Sequence, residues 1–440
     1  MLHYWWLVKA DIQRPVAYGI VVAILLGFRV YWNRAHSRRK AVVAAAAVVA
    51  TLIGFADRVA AQEPEPTTRE AAIEKEQAEK AKVVHPYAPG KLEGLLNRAD
   101  DILNNGVPRW HPFLENAYYG GGFTIGAGYA HHVSPYNLLD VRGSYTILGY
   151  KRIEAGLTAP RMFQRRGSLT LLGGWREATQ AAFYGVGMDT ELRDRSDFDF
   201  RQPYGSALMT LWPTRRLLML RGGLELSQWS LRPSEGDIRS VETVYTPTTL
   251  PGLGTKTTYV HSQGTVGLDW RTSPGYSRRG GYYGVSLHDY ADKDERLGFR
   301  QIDYEAIQHI PILREAWVIS LRAIARTTEA KTGQHVPFFL LPYVGSGSTL
   351  RAYTSHRFRD QNGLTLQAEW RIMVNRFMDT AVFYDAGKVA ARRGDLDLNG
   401  LKSDYGFGFR LHGPFSTPLR IELARSPEGL RLIFAGDSIF

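Results

Sequence analysis

Cysteine is absent from all 440 residues. Structural disulfides, thiolate metal sites, thiol nucleophiles and a lipid-modified cysteine anchor are thereby excluded. Long apolar runs are scarce too: beyond residue 60 no stretch reaches the ~18 to 20 apolar residues that a membrane-crossing helix needs. Hydrophobic residues are 44% and mean hydropathy is −0.25. The bulk of the chain is therefore no helical membrane protein. A net charge of +11 invites a nucleic-acid reading, but the arginines are spread singly on alternate positions, with no basic stripe and no aromatic RNA motif. Lumen and lipid-headgroup contacts account for that charge without nucleic acid.

What the chain does contain is 44 Gly, 23 Tyr and 10 Trp, a mixture suited to many strands with tight turns and two interfacial aromatic girdles. Soluble all-β proteins share part of that signature, so the argument rests on repetition. In Leu430 to Phe440, Leu430, Leu432, Phe434 and Phe440 fall on one face of an extended strand, with Arg431, Ala435 and Asp437 on the other. Leu419, Ile421 and Leu423 alternate with Arg420, Glu422 and Ala424; Tyr405, Phe407, Phe409 and Leu411 alternate with Gly406, Gly408, Arg410 and His412. Leu364, Leu366, Ala368, Trp370 and Ile372 alternate with Thr365, Gln367, Glu369 and Arg371. Apolar groups outward and charges inward is the membrane-barrel sense. About fifteen segments show the pattern. An even strand number is expected of a bacterial single-chain barrel, which adds a faint first strand near Pro112 to Tyr119. The predicted fold is all-β, a transmembrane antiparallel β-barrel over residues 107–440, for which sixteen strands fit, with fourteen or twelve as the alternatives.

Ahead of the barrel, Ser37-Arg38-Arg39-Lys40, the apolar stretch Ala41 to Ala56 and Val59-Ala60-Ala61 have the order of a secretory signal peptide, so 1–61 is read as leader. Residues 1–36 hold a second apolar run, Val16 to Phe28: either an extended leader or anchor, or the product of an upstream start codon. The second is favoured, because the signal is complete without them. Residues 62–106 are polar and read as a solvated periplasmic linker.

One segment breaks the alternation, Lys331 to Gln361, containing GSGSTLRAYTSHRFRD (Gly345 to Asp360). Glu369 and Asp385 lie inward on the two strands that follow. Two carboxylates facing one lumen repel unless a cation comes between them, and arginine suits best because its planar donors engage both. Arg351 is the candidate. Alternatively, Glu369 pairs with Arg371 or Arg420 and Arg351 points to water. Gly345 to Ser348 is no nucleophile elbow, His131 and His132 point to opposite strand faces, and Asp194, Asp197 and Asp199 read as a solvated acidic turn. No catalytic, metal or cofactor site is expected.

Leu350-Arg351-Ala352-Tyr353, Glu369-Trp370-Arg371 and Phe383-x-Asp385-x-Gly387, in this order with five strands after the loop, resemble the outer-membrane protein assembly barrels of the BamA/TamA kind, the bacterial surface antigen family. In that family a Val-Arg-Gly-Phe/Tyr-like loop folds into the barrel and its arginine contacts acidic residues of the next two strands. The resemblance implies a long extracellular loop in the lumen, locked by Arg351, Tyr353, Glu369, Asp385 and Gly387, with Phe434 and Phe440 as a terminal barrel signal. It also implies a non-enzymatic protein of the outer membrane of a Gram-negative-type bacterium, linked to outer-membrane protein assembly or translocation. Its partners would be outer-membrane lipid and either nascent outer-membrane proteins or a separate periplasmic protein. The alternative is a passive pore or structural barrel. Two departures stand out: Ala352 replaces the usual Gly, and 62–106 is too short and polar for the family's periplasmic docking domains.

Overall fold

The computed structural model describes residues 108–440 apart from 215–216, 314, 376, 414 and 437–439. The leader and linker expected at 1–61 and 62–106 lie outside the described residues. The strands follow the period-two segments: β1 (Trp110–Pro112), β2 (Thr124–His132), β3 (Leu138–Thr146), β4 (Lys151–Arg161), β5 (Gly167–Phe183), β6 (Ser196–Leu211), β7 (Leu218–Pro233), β8 (Lys256–Asp269), β9 (Gly280–Asp292), β10 (Phe299–Ile312) and β11 (Trp317–Ala330). After the two-residue strands β12 (Tyr343–Val344) and β13 (Phe358–Arg359) come β14 (Asn362–Asn375), β15 (Met378–Ala390), β16 (Lys402–Leu411), β17 (Leu419–Ser426) and β18 (Gly429–Ala435). All but β12 and β13 form one sixteen-stranded sheet in which each strand pairs with its neighbour in sequence, antiparallel throughout.

Alternation decides the two faces. Ile153, Leu224, Val266, Val285, Leu321, Trp370, Val382, Phe407 and Leu432 are exposed on the outer face, while Glu154, Gln202, Gln367, Glu369, Asp385, Arg410 and Glu422 are buried on the inner one. Bare apolar side chains around so many strands are costly in water and stable in lipid. The barrel is accordingly transmembrane, with its polar core in the lumen. At one end the strands join through short turns; at the other, longer loops cover an aromatic core in which Phe198 and Phe183 meet Phe338 at ring distances of 5.0 and 5.1 Å, and Trp229 meets Phe339 at 5.1 Å.

Two expectations need correction. The first strand is three residues long, and Phe113 to Tyr119 turns into the lumen. The last backbone bond to β2 is from the Phe113 N–H to the Gly126 carbonyl at 3.0 Å. Beyond it, the Phe113 ring lies 4.8 Å from the Arg142 guanidinium, and Arg152 donates to Glu115 at 3.0 Å and to the Asn116 carbonyl at 3.2 Å. Interior contacts outweigh strand pairing there. Phe440, predicted outward with Phe434, is 4% exposed and packs on Ile307 of β10, whereas Phe434 is 65% exposed. The ladder stops at Ala435, so the period-two rule no longer governs Phe440. Among the described residues no ladder joins β18 to β1, which leaves a seam.

Candidate functional site

Residues 331–361 fold inward as one hairpin-like loop. Its limbs are joined by β12 and β13, where Tyr343 pairs with Arg359 and Val344 with Phe358. Its tip begins at Gly345, whose φ is +101° and where a Cβ would stand 2.6 Å from the Thr354 carbonyl oxygen, so only glycine fits. Ser346 accepts from the Ser348 backbone and Gly345 N–H donates to Thr349. The Gly-Ser-Gly-Ser run is thus a turn held by its own hydroxyls.

Arg351 stands at the centre of the tip and is fully buried. Its Nε and Nη2 donate to Asp385 on β15 at 2.8 and 3.1 Å, and Nη1 donates to Glu369 on β14 at 3.2 Å and to Glu422 on β17 at 3.0 Å. The guanidinium also lies over the Phe383 ring at 3.6 Å, a cation–π contact. Arg410 on β16 binds Glu369 and reaches Glu422 at 3.1 Å, while Arg420 donates to Glu422 at 2.6 Å. Arg351, Arg410 and Arg420 therefore interleave with Asp385, Glu369 and Glu422, and each charge is paired. Burial alone would draw the Arg351 pKa down, but Asp385, Glu422 and Glu369 outweigh it and raise it, so the cation is permanent.

The predicted residues are brought together as follows. Arg351, Glu369 and Asp385 share one cluster. Tyr353 is buried against Phe358 with its hydroxyl 3.4 Å from the Ser403 carbonyl. Gly387 serves the pairing of β15 with β14, since a Cβ there would stand 2.8 Å from the Leu364 carbonyl oxygen, whereas Leu350 of the loop would be at an ordinary 3.6 Å. Ala352 keeps an ordinary backbone and needs no glycine: its methyl packs with Phe383, Ala424 and Ile433. Its N–H donates to Asp404 at 3.1 Å. The alternative partner of Glu369, Arg371, is 3.7 Å away and is spent at the short-turn end, donating to the Ser277 carbonyl and to Ser320.

Sequence reading placed Arg410, Arg420 and Glu422 inward without joining them to the loop, and it missed the loop's outer clamps. Arg357 binds Glu428 at 2.7 Å and Thr190 at 2.8 Å; Gly187 N–H donates to the Arg359 carbonyl at 2.8 Å. The stretch after β5, Gly187 to Thr190, is thus one jaw of a clamp. Arg359 donates to the Phe338 and Phe339 carbonyls and to the Tyr118 hydroxyl. Asp197 and Asp199 are not a free acidic turn, since Arg195 and Arg232 pair with them at 2.9 and 2.7 Å.

His356 is buried between Tyr118 and Tyr343, 4.3 and 4.1 Å ring to ring. Burial, and then the charge of Arg359, hold its pKa well below the ordinary imidazole value. The unfolded chain consequently binds the proton more readily, and this site loses stability as pH falls below the unfolded value of about 6.5. His356→Asn, which tolerates the positive φ of 58°, is expected to flatten the fall in heat resistance between pH 7 and pH 5; an unchanged slope would remove His356 from the acid response.

Comparison with known proteins follows the same line. Residues 255–428 match the Omp85 superfamily domain, a span that holds Arg351 and all three of its carboxylates. The fold is similar to BamA from Haemophilus ducreyi lacking POTRA domains 1–3, with a TM-score of 0.54 and 14% identity over 74% of this chain and 68% of that one. CdiB from Escherichia coli overlaps with a TM-score of 0.49 and 11% identity, covering 75% of this chain and 63% of that one. A stretch of 39 residues is 54% identical to the heme-binding subunit MsrQ of protein-methionine-sulfoxide reductase from Xanthomonas campestris pv. campestris, which is 9% of this chain and spans 17% of that relative. With the Omp85 match over the loop and the strands it binds, and a barrel fold like that of BamA around them, residues 255–428 carry an Omp85 superfamily domain and the chain resembles the BamA/TamA kind.

Proposed function

We propose that this is an outer-membrane barrel of a Gram-negative-type bacterium that serves outer-membrane protein assembly or translocation without enzymatic chemistry. The observation that carries the reading is the seam. β18 offers seven residues and pairs only with β17 among the described residues; β1 covers three residues of β2. Unpaired backbone donors and acceptors inside a membrane are costly and template an incoming strand. The partners implied are outer-membrane lipid around the belt and a strand-forming client or separate periplasmic protein at the seam. A hydrolase is disfavoured. Ser320 Oγ lies 2.9 Å from His309 Nδ1, but both are buried on the lumen side and Arg371 Nη2 contacts both.

The test is folding of a second, urea-unfolded outer-membrane barrel into liposomes that contain the purified protein. Faster folding than in protein-free liposomes is expected; equal rates would overturn the assembly reading.

A further inference from the structure

Among the described residues the seam has no ladder, yet its two margins are not loose. On one side the loop tip grips the last hairpin: Arg431 of β18 donates to the Tyr353 carbonyl, Ala352 packs on Ile433 of β18, and Arg357 binds Glu428 in the β17–β18 turn at 2.7 Å. On the other side the same loop grips the segment between β1 and β2. Arg359 donates to the Tyr118 hydroxyl, His356 stacks on the Tyr118 ring at 4.3 Å, and Ser355 lies against Gly120. Tyr118 itself is seated by T-shaped packing on Phe200 at 5.1 Å, so it is a fixed post.

We propose that loop 331–361 is the fastener of the seam, holding β18 by Tyr353, Ala352 and Arg357 and the β1–β2 segment by Ser355, His356 and Arg359. Edges with no ladder between them among the described residues are kept together through side chains of a third element. Release at either margin then frees both, because the loop is the element they have in common. Arg351 sits between the two grips and fixes the loop to the wall. The fastening concerns how the seam is held and not what passes it, so it stands or falls separately from the assembly reading.

The experiment is amide hydrogen exchange, read by mass spectrometry on the folded protein in detergent. Tyr118→Phe keeps the ring and removes one hydroxyl on the β1–β2 side. It is expected to speed exchange in β18, across the seam, by about tenfold, with β7 to β10 unchanged. Arg431→Gln, on the other side, is expected to speed exchange at Thr124 to Ala127 in the same way. The double variant should exceed the larger single effect by less than about threefold, since one released margin already opens the route. Acceleration confined to the mutated margin, spread evenly over the barrel, or absent would overturn the proposal, as would effects that multiply.

Discussion

Arg351→Met is expected to lower the heat resistance of the folded barrel, read as loss of the compact form on gels, by about 3 to 5 kcal/mol of folding free energy. Methionine keeps an apolar stem as far as the position of Nε and lacks the guanidinium, so the loss reflects chiefly the missing cation and its hydrogen bonds. Without the guanidinium, Asp385 loses both of its donors from the loop, while Glu369 and Glu422 keep Arg410 and Arg420. A buried carboxylate stripped of its cation is the expensive product, more so than the broken pair itself. Asp385→Asn removes the other partner and should also destabilise. Combined with Arg351→Met it should cost less than the sum, because the second change relieves the charge that the first has orphaned. Strictly additive losses would show that the two groups do not act on one another.

The second large effect concerns conduction. In planar bilayers the unaltered protein is expected to pass little current, because the lumen is crossed at two levels. The loop tip closes the long-loop end. At the other end the turn 270–279 meets His412 and Thr417, with Thr417 donating to the Gly275 carbonyl at 3.2 Å and Tyr276 bound to Asp379 and stacked on His412 at 3.9 Å. A cavity of 1560 Å³ lies between and beside these barriers. Constrictions in series add their resistances, so opening one leaves the other in control. Replacing Ser346 to His356 by a short Gly-Ser linker, or Tyr276 by Gly, should each raise conductance less than about twofold, and both together several-fold. Large, steady current through the unaltered barrel would favour the passive-pore alternative.

Much of the fold was legible because lipid and lumen impose opposite demands on neighbouring residues. Phe407 beside Gly408 and Arg410, or Trp370 beside Glu369 and Arg371, declares both faces at once, and Leu364 to Ile372, Tyr405 to Leu411 and Leu419 to Ala424 lie within β14, β16 and β17. Arg351 was legible through its motif and through the two inward carboxylates after it. Glu422 and Arg410 were read as inward, but their convergence on one loop cation depends on how β14 to β17 curve about it, which alternation does not encode. Phe113 to Tyr119 was misread because its partners, Arg152 and Arg359, are distant in sequence. Phe440 was misread because a parity rule was carried past the point where pairing ends.

The separations in sequence carry a consequence for how the molecule comes into being. Arg351 meets Glu422 across 71 residues, Arg357 meets Thr190 across 167 and Arg359 meets Tyr118 across 241. Contacts of such high order form late, after the wall on either side exists. Insertion of the loop is thus the closing event of folding, and a chain interrupted before its final hairpin has nowhere to seat it.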